Sequence, residues 1–145
     1  MDREVVEQKL EALRRSVQRV QEKCPPEPAV LVQDADAQDI VAFNLARAVQ
    51  LCVDIGAHLI ADSNIPAPDT MGRIFDALAE VGCIDHELAG RLKKAVGFRN
   101  IAVHNYQAID WHIVHTIALT RLADFRAFAQ AVVDYTRARQ ENAGK

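Results

Sequence analysis

The stretch Gly97-Phe98-Arg99-Asn100-Ile101-Ala102-Val103-His104-Asn105-Tyr106 gathers an arginine, an amide, an imidazole and a phenol within one or two helical turns. Residues three or four apart share a helix face, so Asn100 and His104 stack one above the other. Arg99 lies about 100° away and can reach round on its long aliphatic stem. Asn105 is expected to close the helix as a left-handed C-cap, which sets the Tyr106 hydroxyl near the helix end. A permanent planar cation beside an imidazole that exchanges a proton near neutral pH suits phosphate chemistry. Taken alone, the same pair is what a surface salt-bridge donor and a helix C-cap would give.

Outward from this stretch the chain is patterned for helices. Asp85 is placed to cap the helix that carries the stretch, with Leu88, Leu92, Ala95 and Val96 facing inwards, and Gly97 could permit a close helix approach. Before it, Asp69 or Thr70 caps a short helix ending at Gly82, whose apolar stripe is Met71, Ile74, Phe75, Leu78 and Val81. The turn-rich Ser63 to Asp69 separates this from a long helix, about Asp36 to Asp62. There Val41, Leu45, Ala48, Cys52, Ile55 and Leu59 gather on one side. Arg47, Gln50, Asp54 and His58 form a narrow row opposite, flanked by Phe43 and Leu51. That row is either a polar surface or a face against another subunit or the site, with Asp54 and His58 orienting groups around Arg99 and His104. A first helix spans Asp2 to about Glu22, ended by Cys24-Pro25-Pro26-Glu27-Pro28, with a connection running to about Ala35. After Tyr106, Asp110 caps a last helix from Trp111 to about Arg139, on which His112 and His115 are ordinary polar positions. The class is all-α, one domain over 1–145, with four long helices and one short.

Composition narrows the chemistry. The chain is 50% apolar and 26% charged with a formal net charge of -3, so it lacks a broad electrostatic footprint for duplex nucleic acid. Any RNA contact has to be local. Arg91-Leu92-Lys93-Lys94, leading to Arg99, is the best candidate, and is otherwise a solvated helix face. Cys24, Cys52 and Cys83 show neither close pairing nor metal-ligand spacing and read as reduced thiols. No Gly-rich phosphate loop, HExxH or CxxC pattern is present, so neither a cofactor nor a metal site is expected. The N-terminus lacks the apolar run of a signal peptide, and no stretch is expected to be long enough to cross a bilayer, which points to the cytoplasm.

Arg99, four residues, His104, one residue, Tyr106 resembles the Arg-x4-His-x-Tyr signature of HepT-like toxins, the HEPN-domain half of a two-gene toxin–antitoxin module. Arg47-Ala48-Val49-Gln50 with Asp54-Ile55-Gly56-Ala57-His58-Leu59-Ile60 is similar to the family's second helix, and Val81-Gly82-Cys83-Ile84-Asp85 to the turn before its motif helix. The likeness runs from about Arg47 to Asp110, with the outer helices matching in length and pattern only.

The resemblance implies a HEPN-like bundle and a metal-independent endoribonuclease. A base takes the ribose 2′-OH proton, the oxygen attacks the adjacent phosphorus, and an acid protonates the leaving 5′ oxygen. One histidine per chain falls short of an acid and a base. A homodimer would supply two histidines and two arginines around one cleft, with Asn100 positioning a histidine or a phosphate oxygen. The family likeness also implies that Tyr106 accepts AMP from ATP through an MNT-type minimal nucleotidyltransferase antitoxin, placing charge and bulk beside Arg99. The alternatives are a non-catalytic module that docks a nucleotide or substrate for that transferase, and a structural helical protein without a site.

Overall fold

The computed structural model describes residues 2–143, and among them every regular element is helical. The first helix, α1 (Arg3–Lys23), starts where the Asp2 carboxylate accepts the Val5 N–H at 3.3 Å. It is stitched on its outer face by the Arg3–Glu7 pair and by Gln18 to Glu22. Its inner stripe, Val6, Leu13, Val17 and Val20, is buried, each such side chain contributing roughly 1.5–3 kcal/mol. The chain turns extended at Cys24, ahead of Pro25 and Pro26.

The following connection is not loop throughout, as its prolines had suggested. It holds a six-residue helix, α2 (Pro28–Gln33), with proline in the first turn, where no backbone donor is missed. Gln38 donates to the Leu31 and Val32 carbonyls at 2.9 and 3.0 Å, closing the far end, and Leu31 is fully buried.

Helix α3 (Ala35–Ala61) is the centre of the bundle, with α1, α4 (Met71–Glu80) and α5 (His86–His104) packed on it. All six apolar positions expected to face the core, from Val41 to Leu59, are buried. In length and hydropathy α3 would suffice to cross a membrane, contrary to the expectation that no stretch would. The reason is its position at the centre of the helix packing: 56% of its most apolar window is buried inside the protein. A methyl at Gly56 would stand 2.5 Å from Ile74 Cγ2 and 3.0 Å from Leu78 Cδ1, so this glycine sets the approach of α4 (Met71–Glu80). Gly97, which the sequence nominated for that role, faces open space.

Thr70 caps α4, accepting the Arg73 N–H at 3.3 Å, and Phe75 meets Phe128 edge to face at 6.1 Å. Gly82, at φ +83°, makes the turn into α5 (His86–His104), where Asp85 accepts the Leu88 N–H at 2.7 Å. A 3₁₀ turn (Tyr106–Ala108) follows. The expected single last helix is instead two, α6 (Trp111–Thr120) and α7 (Leu122–Ala143). Thr116 and Thr120 each donate to the carbonyl one turn back, at 3.1 and 2.6 Å, a back-bonding that loosens and bends helices, and the break falls at Arg121. His115 is not an ordinary polar position: it is buried and its Nε2 lies 2.9 Å from the Pro25 carbonyl, tying α6 to the first connection. The three cysteines are free and buried, and burial pushes the Cys83 thiol up to about 12.

Candidate active site

Helix α5 outruns the core. Leu88, Ala89, Leu92 and Val96 are buried, and after Val96 no residue of the helix is. Its last two turns, which carry Arg99, Asn100 and His104, therefore reach solvent along with Ile101 and Val103, the latter 53% exposed. Asn100 meets the arginine beside it, Arg99 Nη1 donating to Asn100 Oδ1 at 3.1 Å. An amide carries no charge, and no carboxylate among the described residues pairs with Arg99, so the guanidinium keeps its full positive charge for another anion. His104 ends the helix, exposed, with no hydrogen bond to any described residue.

The chain leaves α5 differently from expectation. Asn105 has φ −150° and ψ 61°, not a left-handed cap, and its N–H still bonds to the Ile101 carbonyl at 2.9 Å. At Asn105 the backbone leaves the helical conformation, and Tyr106 folds back towards α3 rather than standing beyond the helix end. The Tyr106 hydroxyl donates to Asp39 Oδ1 on α3 at 2.5 Å. The ring meets Trp111 edge to face at 5.7 Å. Trp111 is itself fixed by the Asp110 cap, which accepts the His112 and Ile113 N–H groups at 3.0 and 3.4 Å. Partial burial, then the hydrogen bond to Asp39 and its negative charge, hold the phenol well above its usual range. Between α3 and the end of α5 runs an open groove of about 270 Å³, lined by Asp39, Ala42, Phe43, Ala46, Ala102, Val103 and Tyr106. Phe43 is 62% exposed. Three alanines make its floor shallow, and Phe43, Val103 and Tyr106 make its rim apolar.

The polar row of α3 is placed elsewhere. Asp54 accepts from Gln50 Nε2 at 2.9 Å and lies 3.8 Å from Lys9 Nζ on α1. Arg47 shares a cleft with Arg15, Ser16 and Arg19 of α1. No hydrogen bond or ion pair among the described residues joins Asp54 or His58 to Arg99 or His104, so the structure provides no contact through which they would orient the pair. The basic run on α5 is also largely engaged: Arg91 pairs with Asp124 at 2.8 Å and Lys93 with Asp76 at 2.9 Å, leaving Lys94 exposed. Asp39, the residue that sequence reading passed over, stands 67 positions from its partner. Its signal was the spacing Asp39, Phe43, Ala46, Gln50, which is one row of a helix at steps of four, three and four.

Residues 9–132 match the family model described as ribonuclease HepT-like. The chain is 32% identical over 129 residues to the mRNA nuclease HepT of Shewanella oneidensis, covering 89% of this chain and 96% of that protein. It superposes on the tri-AMPylated HEPN toxin of that organism, solved in complex with its MNT antitoxin, with TM-score 0.84 and 31% identity, covering 92% of this chain and 99% of the toxin. A toxin–antitoxin crystal structure with AMP-PNP gives TM-score 0.85 at 30% identity, over 90% of this chain and 98% of that one. The Bacillus subtilis cytosolic protein YutE shares the fold alone, at 15% identity and TM-score 0.83, over 96% of this chain and 93% of that one.

Proposed function

The chain belongs to the HepT-like ribonuclease family, and from that premise we propose that its 145 residues act as one HEPN domain, the toxin of a two-gene module that cleaves RNA in the cytoplasm. The observation that carries this reading is the uncompensated Arg99 and the free His104 on the part of α5 that the core does not cover.

The reaction is transesterification. The 2′ oxygen of a ribose loses its proton to a histidine and attacks the neighbouring phosphorus, and the 5′ oxygen leaves with a proton from an acid. This leaves a 2′,3′-cyclic phosphate and a 5′ hydroxyl. Arg99, free of any carboxylate, offers two parallel donors to the non-bridging oxygens as charge builds on them. Asn100 fixes the guanidinium from one side. The second histidine comes from a second copy of the chain. The exposed Phe43 and Val103, the latter one helical turn from Arg99, support a two-fold contact at this end of the molecule rather than along the Arg47–His58 row, much of which faces α1.

The second partner is an MNT-type nucleotidyltransferase. By it Tyr106 is adenylylated, which lays a phosphodiester anion across the groove within reach of Arg99 and silences the toxin. The alternative of a non-catalytic module docking a nucleotide or substrate for that transferase keeps the same residues without the cleavage.

Purified protein incubated with RNA in the presence of a chelator should give fragments ending in cyclic phosphate. Addition of the neighbouring nucleotidyltransferase, ATP and magnesium should add AMP to Tyr106 and stop cleavage. Adenylylation without any cleavage beforehand would favour the second reading, and an unmodified chain would exclude the antitoxin mechanism.

A further inference from the structure

We propose that Asp39 is the general base that takes the Tyr106 proton when the phenol is adenylylated, a role that rests on the reading of Tyr106 as the AMP acceptor. The 2.5 Å hydrogen bond between Tyr106 Oη and Asp39 Oδ1 is the only one either side chain makes among the described residues. No cation among the described residues pairs with Asp39, so no ion pair there holds the carboxylate for another purpose. Trp111, 5.7 Å away by ring centroids, packs edge to face on the ring, and the alanine floor of the groove supplies no competing acceptor.

The chemistry requires an acceptor at this atom. In the transfer, Tyr106 Oη attacks the α-phosphorus of ATP. The new O–P bond forms, the bond from that phosphorus to the oxygen bridging to the β-phosphate breaks, and pyrophosphate departs. The phenol proton has to leave in the same event. The phenol stays neutral at physiological pH, because partial burial and the adjoining Asp39 charge oppose the phenolate. No anion is thus formed in advance. As the oxygen begins to bond to phosphorus its proton becomes strongly acidic, and Asp39 Oδ1 already lies on the other side of that proton. The carboxylic acid formed gives its proton to water. Afterwards Oη has no proton to donate, and a phosphodiester anion stands next to Asp39. Like-charge repulsion then favours swinging the nucleotide away from α3.

The test uses wild type, Asp39→Asn and Asp39→Glu with the partner nucleotidyltransferase, ATP and magnesium, the first AMP adduct being followed by intact mass as a function of toxin concentration. Asparagine keeps an oxygen that accepts the phenol hydrogen bond and removes only the basicity. The expected result is a turnover for the first adduct lowered by about 10²-fold or more, with KM for the toxin and melting unchanged, and partial recovery in Asp39→Glu. Modification of Asp39→Asn at the wild-type rate overturns the proposal, as does a raised KM at unchanged turnover, which marks a docking role. A wild type that takes no adduct overturns the Tyr106 reading and this role with it, and is recognised without any variant. A second measurement depends on neither the partner nor turnover. In an absorbance titration the Tyr106 component, identified by its loss in Tyr106→Phe against the remaining Tyr135, should ionise at lower pH in Asp39→Asn than in wild type. An unchanged titration would mean the contact itself is absent.

Discussion

The two halves of helix α5 are made from similar residues and put to different use. In the first, Leu88, Leu92 and Val96 are buried while Arg91 and Lys93 are tied to Asp124 and Asp76 on neighbouring helices. In the second, nothing is buried, and among the described residues Arg99 is held only by the neutral Asn100 and His104 has no hydrogen-bond partner. A cation in the first half is part of the packing between helices. The cation in the second half has no carboxylate partner among the described residues. The difference lies not in residue type but in the carboxylates that α4 and α7 supply to the first half.

That comparison ranks substitutions by their cost to the fold. Leu92→Ala, at a position 1% exposed, should lose about 2–5 kcal/mol, measured as a fall in the denaturant midpoint at unchanged slope. Should Leu92→Ala melt like wild type, the first half would not be the structural one. Gly56→Ala comes next, because the added methyl must displace Ile74 or Leu78; about 1–3 kcal/mol is expected from the same unfolding curves, and a neutral result would mean that α4 shifts without strain. Arg91→Ala breaks a partly exposed pair and should cost about 1 kcal/mol or less in thermal melting, with RNA cleavage retained. Loss of cleavage in a well-folded Arg91→Ala would extend the working surface into the first half and blur the division.

What the sequence disclosed follows from the range over which each determinant acts. The caps at Asp85 and Asp110 and the inward stripe of α3 depend on residues within one or two turns, and they are legible from spacing. Helix α2 was hidden because its far end is closed by Gln38, from the next helix, and the division between α6 and α7 because it turns on threonine hydroxyls choosing backbone partners. Spacing sets Asp39 on one row of α3 with Phe43 and Ala46 but does not join it to Tyr106, which depends on the crossing of α3 with the end of α5 and on the non-helical Asn105. The row of Arg47, Gln50, Asp54 and His58 showed the converse. It was correctly seen as polar, yet which neighbour it faces is set by α1, whose Lys9 meets Asp54.

Smallest for the fold and largest for function are Arg99→Ala and His104→Ala, and they test the division of α5 most directly. Neither side chain is buried or ion-paired among the described residues, so both variants should melt close to wild type. Transition-state charge stabilisation and proton transfer are each worth about 10²- to 10³-fold or more. Single-turnover cleavage of RNA by each variant should therefore fall by at least that factor at unchanged helicity. Cleavage at the wild-type rate by either folded variant would contradict the assignment of the uncovered end of α5 as the place where the chemistry is done.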